Sequence, residues 1–298
     1  MKEKKILLVG DNPFQGVSHL SQERARTRGK EVNNPEYAAE LITISLDNGA
    51  DGFMFSVSET TISILRMLPE KRGNLKIYAI VPAAYDYVRL ASQLGTPGLL
   101  GYFVKQLLVS RNLKAIVNGL KGLIEQDVIA LMKAYLLYEV FRVKSSIGRK
   151  ANIYSLLLHE IVTDMALALN FEWLFRSYVN FMLGLKIKPG FETRNFPYLV
   201  NKLKAWNIDF GEITIVAPFN KIGFQMNPSR IECEKALINM PEAEVIAMSP
   251  LASGYLKLSE AIEYIRSVPQ LKGVAVGVSK QKHADEFKFI REALEAEE

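Results

Sequence analysis

Cysteine occurs once in the 298 residues and histidine only three times. A lone Cys233 excludes an intrachain disulfide and an iron–sulfur cluster ligated by cysteines of one chain. It lies in RIECEKAL, a helical pattern in which packing is its expected role. No run of about 18 uncharged apolar residues exists, which argues against a spanning helix. MKEKK ahead of ILLVG lacks the apolar core of a signal peptide, so the cytoplasm is the expected location. Gly/Ser linkers, charge blocks and low-complexity stretches are also missing, and residues 1–298 read as one domain. No basic stripe with interleaved aromatics is present, so nucleic acid is not an expected partner. The net charge of +5 then points to an anionic small molecule. Tight ligand spacings such as His-x-His are absent, and no metal site is assigned.

The chain does contain a large apolar fraction, 49%, arranged as short strands separated by helical stretches. The strands are expected at Ile6–Val9, Gly52–Val57, Leu75–Val81, Asn152–Leu158, Lys186–Phe191, Glu212–Ala217, Glu244–Met248 and Gly273–Val278. Near-continuous apolar strands suit a parallel sheet buried on both faces. Asn34-Pro35 and Ser58 supply helix starts, by capping and by proline at the first helical position. Eight strand–helix units predict an α/β fold, a (β/α)8 TIM barrel, which typically takes about 250 residues. A doubly wound open sheet is the alternative. Between strands three and four the rhythm breaks. Residues 83–150 show only helical patterns and no proline follows Pro97 until Pro189, which favours long helices. This stretch reads as a helical insertion. It would serve as a lid over the site, as a homo-oligomer surface through residues 99–143, or as extra structural padding.

Several stretches of the back half carry a family resemblance. MSPLASGYL (Met248–Leu256) is similar to the seventh-strand signature of the aldo-keto reductase superfamily. GVAVGVSKQKHADEF resembles that family's last strand and phosphate-binding loop. YSLLLHE resembles its fourth strand, with His159 at the family's histidine, and NKLKAWNID and APFNKIGFQMNP follow its spacing between strands five and six. The resemblance covers the C-terminal half and implies the barrel scaffold. The family reduces carbonyls with a tyrosine acid, an aspartate, a lysine and that histidine. Here GFMFSVSET puts Met54 at the aspartate place with no tyrosine after it, and the third strand ends in Pro82 where a lysine is expected. The catalytic Asp, Tyr and Lys are therefore unmatched.

In such a barrel the chemistry lies on the rim at the C-terminal ends of the strands. The three histidines, His19, His159 and His283, all fall in or just after strand ends. His159, Asp11 and His19 are the candidate catalytic residues, as acids or bases. Gly277, Ser279 and Lys280 after strand eight, with Ser253 and Gly254 after strand seven, are candidates for holding a phosphate or cofactor. Backbone N–H groups at a helix start bind anions there. Asn12, Glu160, Glu192, Asn220 and Gln225 complete a polar rim suited to a substrate. Arg24, Arg26 and Arg28 would clamp an anion. The cofactor is left open, with a nicotinamide or flavin nucleotide as the candidate. Three readings of function follow. One is a divergent oxidoreductase acting on an anionic small molecule. Another is a metal- or acid–base-dependent lyase, isomerase or hydrolase. The last is a non-catalytic binding or assembly protein that uses the helical insertion.

Overall fold

The computed structural model describes residues 4–15, 34–69, 75–83, 127–149, 151–240 and 242–296. Eight parallel strands close into a barrel in sequence order: β1 (Ile6–Gly10), β2 (Gly52–Ser56), β3 (Leu75–Val81), β4 (Ala151–Leu158), β5 (Lys188–Glu192), β6 (Thr214–Pro218), β7 (Glu244–Met248) and β8 (Gly273–Gly277). The ring closes through β1 and β8, paired from Ile6 with Gly273 to Gly10 with Gly277. The open-sheet alternative is thereby excluded.

Around it run α1 (Pro35–Asp47), α2 (Glu59–Met67), α3 (Val128–Ile147), α4 (Glu160–Ala168), α5 (Glu172–Gly184), α6 (Phe196–Ala205), α7 (Arg230–Ile238), α8 (Leu258–Ser267) and α9 (Gln281–Glu295). Their starts follow local chemistry. Asn34 accepts from the Glu36 N–H ahead of Pro35, and Ser58 and Thr61 form a reciprocal capping box. Cys233 is a buried packing residue of α7. Among the described residues no helix is long and apolar enough to cross a membrane.

The stretch expected to be an insertion divides in two. Its last part is α3, which packs on α2, β4 and α5 and buries Ala134, Leu136, Val140 and Val143. It fills the outer-ring position between β3 and β4, as a crossover helix does. Residues 84–126 lie outside the described residues, and with them most of the proposed 99–143 oligomer surface.

The barrel interior is packed. Leu8, Met54, Tyr78, Ile80, Leu157, Val216, Ile246 and Ala275 form one buried cluster inside the ring. Beneath it the Glu244 carboxylate accepts from Tyr78 Oη (3.4 Å), Tyr154 Oη (2.7 Å), Thr214 Oγ1 (2.8 Å) and Lys188 Nζ (3.4 Å). A buried carboxylate is tolerated only with such partners, and this end of a barrel serves stability. Gly52 marks a close approach, since a Cβ there would lie 2.2 Å from the Lys76 carbonyl oxygen on β3.

Candidate active site

The opposite end opens into a cavity of about 670 Å³, lined from all eight strand ends. Most strands contribute residues at their C-terminal end or in the turn that follows, and β6 contributes through Gln225 of its longer loop.

At the end of β1 the chain folds back on itself. The N–H groups of Phe14 and Gln15 donate to the Asp11 carbonyl, and Phe14 is buried edge-on against Phe53. That turn leaves the Asp11 side chain to reach β2. Its Oδ2 accepts from Ser56 N–H (2.9 Å) and Gln15 Nε2 (3.2 Å), and Gln15 also donates to Ser58 Oγ (2.9 Å). Burial dominates these bonds and pushes the Asp11 carboxyl up to about 6. Asn12 is exposed at the cavity edge.

His159 ends β4 and caps α4. The Ile161 N–H donates to its Nδ1 at 3.2 Å. An accepting Nδ1 has no proton, so the neutral ring carries its proton on Nε2. Burial lowers the His159 pKa, and the Arg194 charge lowers it further against an opposing contribution from Glu160. The imidazole is thus held neutral.

The end of β5 holds the more strongly displaced of the two buried carboxyls, Asp11 and Glu192. Glu192 Oε2 accepts from the Glu160 N–H at 3.2 Å, yet the carboxyl is pushed up to about 8. Burial is the main cause, followed by the negative charge of Glu160. Glu192 is therefore a neutral carboxylic acid near neutral pH. Beside it, Arg194 Nε donates to Glu160 Oε2 at 2.5 Å. Asp164, one turn along α4 from Glu160, accepts from Thr193 Oγ1 (2.5 Å) and Arg194 N–H (3.1 Å), which fixes this turn.

After β6, Asn220 is fully buried and away from the cavity wall. Its amide brackets Phe224, donating to the carbonyl at 2.9 Å and accepting from the N–H at 2.7 Å. This holds the loop that presents Gln225 to the cavity in a left-handed conformation, φ 60°. After β7 the chain again turns left-handed, through Ser249, Ala252, Ser253 and Gly254. Ser253 Oγ is buried without a protein partner, and Ser253 and Gly254 line the cavity. After β8, Gly277 and Ser279 line it as well, with His283. The Ser279 hydroxyl lies 3.2 Å from His283 Nδ1. Lys280 starts α9 without a side-chain cap, is exposed, and stands off the wall.

The structure therefore brings together Asp11, Asn12, His159, Glu160, Glu192, Gln225, Ser253, Gly254, Gly277 and Ser279. Asn220 and Lys280 stand behind or beside the wall. His19 and the arginines Arg24, Arg26 and Arg28 lie outside the described residues. Gln15 belongs to the polar run after β1 that the sequence marks out, whereas Ser56, Asp164 and Arg194 were not expected from sequence. For Arg194 a signal existed, because GFETRNF places it in the same strand-end polar run as Glu192. Among the described lining residues there is no tyrosine and no lysine, and Met54 occupies the wall at β2. Among all described residues no group of three His, Cys, Asp or Glu side chains is placed to hold a metal ion.

Comparison with solved structures places this architecture. A Pseudomonas aeruginosa protein described provisionally as an aldo-keto reductase aligns with 97% of this chain and 91% of its own, at 13% identity and a TM-score of 0.57. A Klebsiella pneumoniae aldo-keto reductase solved in complex with NADPH aligns over 98% and 90%, at 10% identity and a TM-score of 0.50. The chain shares the (β/α)8 barrel fold of these proteins over nearly its whole length. At these identities the likeness is one of fold, and function must be argued from the site. No protein-family model matches the sequence, and no curated protein matches it.

Proposed function

We propose that this protein is an acid–base enzyme that acts on an anionic small molecule in the barrel mouth. One observation carries the reading. Three titratable side chains facing one cavity, Asp11, His159 and Glu192, are each displaced toward the uncharged form by burial. Groups with displaced and mutually different pKa values are how a site provides both an acid and a base at one pH. Asp11, near 6, is ionised at neutral pH and is the base that takes a proton from substrate carbon or oxygen. Glu192, near 8, keeps its proton and is the acid that delivers one to a substrate oxygen. The neutral His159, with its proton on Nε2, hydrogen-bonds that same oxygen.

The rim at β7 and β8 supports the binding of a phosphate-bearing group. The Ser253 hydroxyl is a buried donor without a protein acceptor, and α9 starts beside Ser279 without a side-chain cap; a helix start and a free hydroxyl suit an anion. Gly254 and Gly277 would let backbone approach it, and Lys280 adds charge from outside. A nicotinamide nucleotide held there would supply a hydride for a carbonyl. Glu192 would then give the carbonyl oxygen its one proton, with His159 hydrogen-bonded to that oxygen, in place of the tyrosine of aldo-keto reductases. Quenching of protein fluorescence by NADPH tests this redox form; no saturable quenching in wild type, or quenching unchanged in Ser253→Trp, refutes it.

The acid–base reading is tested by proton exchange. Small carbonyl and hydroxy acids incubated with the protein in deuterium oxide should exchange a C–H proton, seen by NMR. Exchange should fall about 100-fold or more in Asp11→Asn and Glu192→Gln. Equal exchange in wild type and both variants would sink the assignment.

A further inference from the structure

Asp11 and Glu192 are both buried carboxyls on the cavity, yet they differ in the donors that meet them. Two bonds converge on one oxygen of Asp11: Oδ2 accepts from Ser56 N–H at 2.9 Å and from Gln15 Nε2 at 3.2 Å. Among the described residues Glu192 has only the Glu160 N–H, at 3.2 Å. Gln15 is itself fixed. Its Nε2 also donates to Ser58 Oγ at 2.9 Å, and Ser58 is locked into the start of α2 by reciprocal bonds with Thr61. An ionised carboxylate only accepts, so the amide turns its NH2 end to Asp11.

From this geometry we infer that Gln15 is the positioning residue that makes Asp11 the base of the pair and directs the incoming proton to Oδ1. The inference rests on the acid–base reading above and adds its orienting group. A hydrogen bond donated to the charged form favours that form. Gln15 and the Ser56 N–H therefore work against the burial that would otherwise keep Asp11 protonated, as Glu192 is kept. With both donors on Oδ2, Oδ1 is the oxygen left to take a substrate proton. The acid so formed retains both bonds on its carbonyl oxygen, so the transfer needs no rearrangement of the protein. The other titratable or charged groups on the cavity wall are His159, Glu160, Glu192, Arg194, His283 and Glu286. None of them donates a hydrogen bond to Asp11. The charge on Asp11 in turn helps to hold the proton on Glu192. By keeping Asp11 ionised, Gln15 thus supports both halves of the acid–base pair.

NMR titration of the side-chain carboxyls and amides, in wild type and Gln15→Met, tests the assignment. In wild type the Gln15 side-chain amide protons should shift with the same midpoint as the Asp11 carboxyl. In Gln15→Met the Asp11 midpoint should rise by about one pH unit or more, the size expected for one hydrogen bond to a charged group, while that of Glu192 does not rise. The acidic limb of deuterium exchange should move up by the same amount, so that exchange at about pH 6 falls about five-fold. A residue that only packs would lower the rate at every pH and leave the limb in place. An Asp11 midpoint unchanged in Gln15→Met overturns the inference. So does a wild-type Gln15 amide that does not follow the Asp11 titration, a measurement that stands even if the variant fails to fold. The two levels separate. If Asp11 and Glu192 titrate near 6 and 8 in wild type while Gln15→Met leaves Asp11 in place, only the role of Gln15 falls. If both titrate at ordinary carboxyl values, the acid–base reading falls with it.

Discussion

Replacing Glu192 with glutamine should make the protein more stable in alkaline solution and nearly unchanged in acid. An unfolded glutamate releases its proton at its ordinary 4.5, and the folded one holds it up to about 8. Between those values the native state binds one proton more than the unfolded state, so stability falls as pH rises. The slope for one proton is about 1.4 kcal/mol per pH unit. Over the interval of the shift the ceiling is about 5 kcal/mol, and at neutral pH it is about 3 kcal/mol. Below 4.5 both states are protonated and the group has no linked effect. Glutamine is neutral at every pH, nearly isosteric, and its carbonyl oxygen can still accept the Glu160 N–H that Glu192 accepts. The variant therefore removes the linkage and keeps the hydrogen bond. Urea unfolding followed by circular dichroism, at about pH 5 and about pH 8.5, reads the difference directly. The variant should gain about 2–4 kcal/mol over wild type at the higher pH and less than about 1 at the lower. A gain that is the same at both values, or no gain at the higher, would show that Glu192 ionises normally. The proton donor proposed here would then be lost.

Other consequences are as concrete. The exchange rate plotted against pH should be bell-shaped, rising as Asp11 ionises near 6 and falling as Glu192 ionises near 8; a profile flat across that range refutes the pairing. Gly52→Ala forces a methyl group to within 2.2 Å of the Lys76 carbonyl oxygen between β2 and β3. A loss of about 2 kcal/mol or more in thermal or urea unfolding is expected, and an unchanged midpoint would contradict the packing. Glu244→Ala strands the buried hydroxyls of Tyr78 and Thr214 at the barrel floor. It should cost about 3 kcal/mol and leave ligand binding at the opposite rim intact.

The elements of the barrel were written locally. The apolar strands and their punctuation by Gly10, Pro82, Pro218 and Ser249 fall within two residues of the observed strand limits. Asn34 and Ser58 cap the helices they were expected to cap. These features depend on hydrogen bonds and periodicity within a few residues, so a linear reading reaches them. The packing of α3 on α2, β4 and α5 did not emerge, because a helical pattern carries no mark of which neighbours it will meet. The acid–base groups were likewise only half visible. Asp11, His159 and Glu192 could be listed from their places after strands. Nothing local distinguished them from Asn220, which has the same polar character and the same kind of position and turned inward to brace its own loop.

Composition and pattern were enough to state that eight parallel strands alternate with helices and that polar strand ends gather on one rim, because both follow from short-range preferences and from the direction every strand shares. They could not state which carboxyl would keep its proton. That depends on how deeply Glu192 is desolvated and on its nearness to Glu160, a residue 32 positions away in sequence that the pairing of β4 with β5 makes a neighbour. The partnership of Arg194 with Glu160 and Asp164 belongs to the same class of fact, since charges separated along the chain acquire an interaction energy only once folding sets the distance between them.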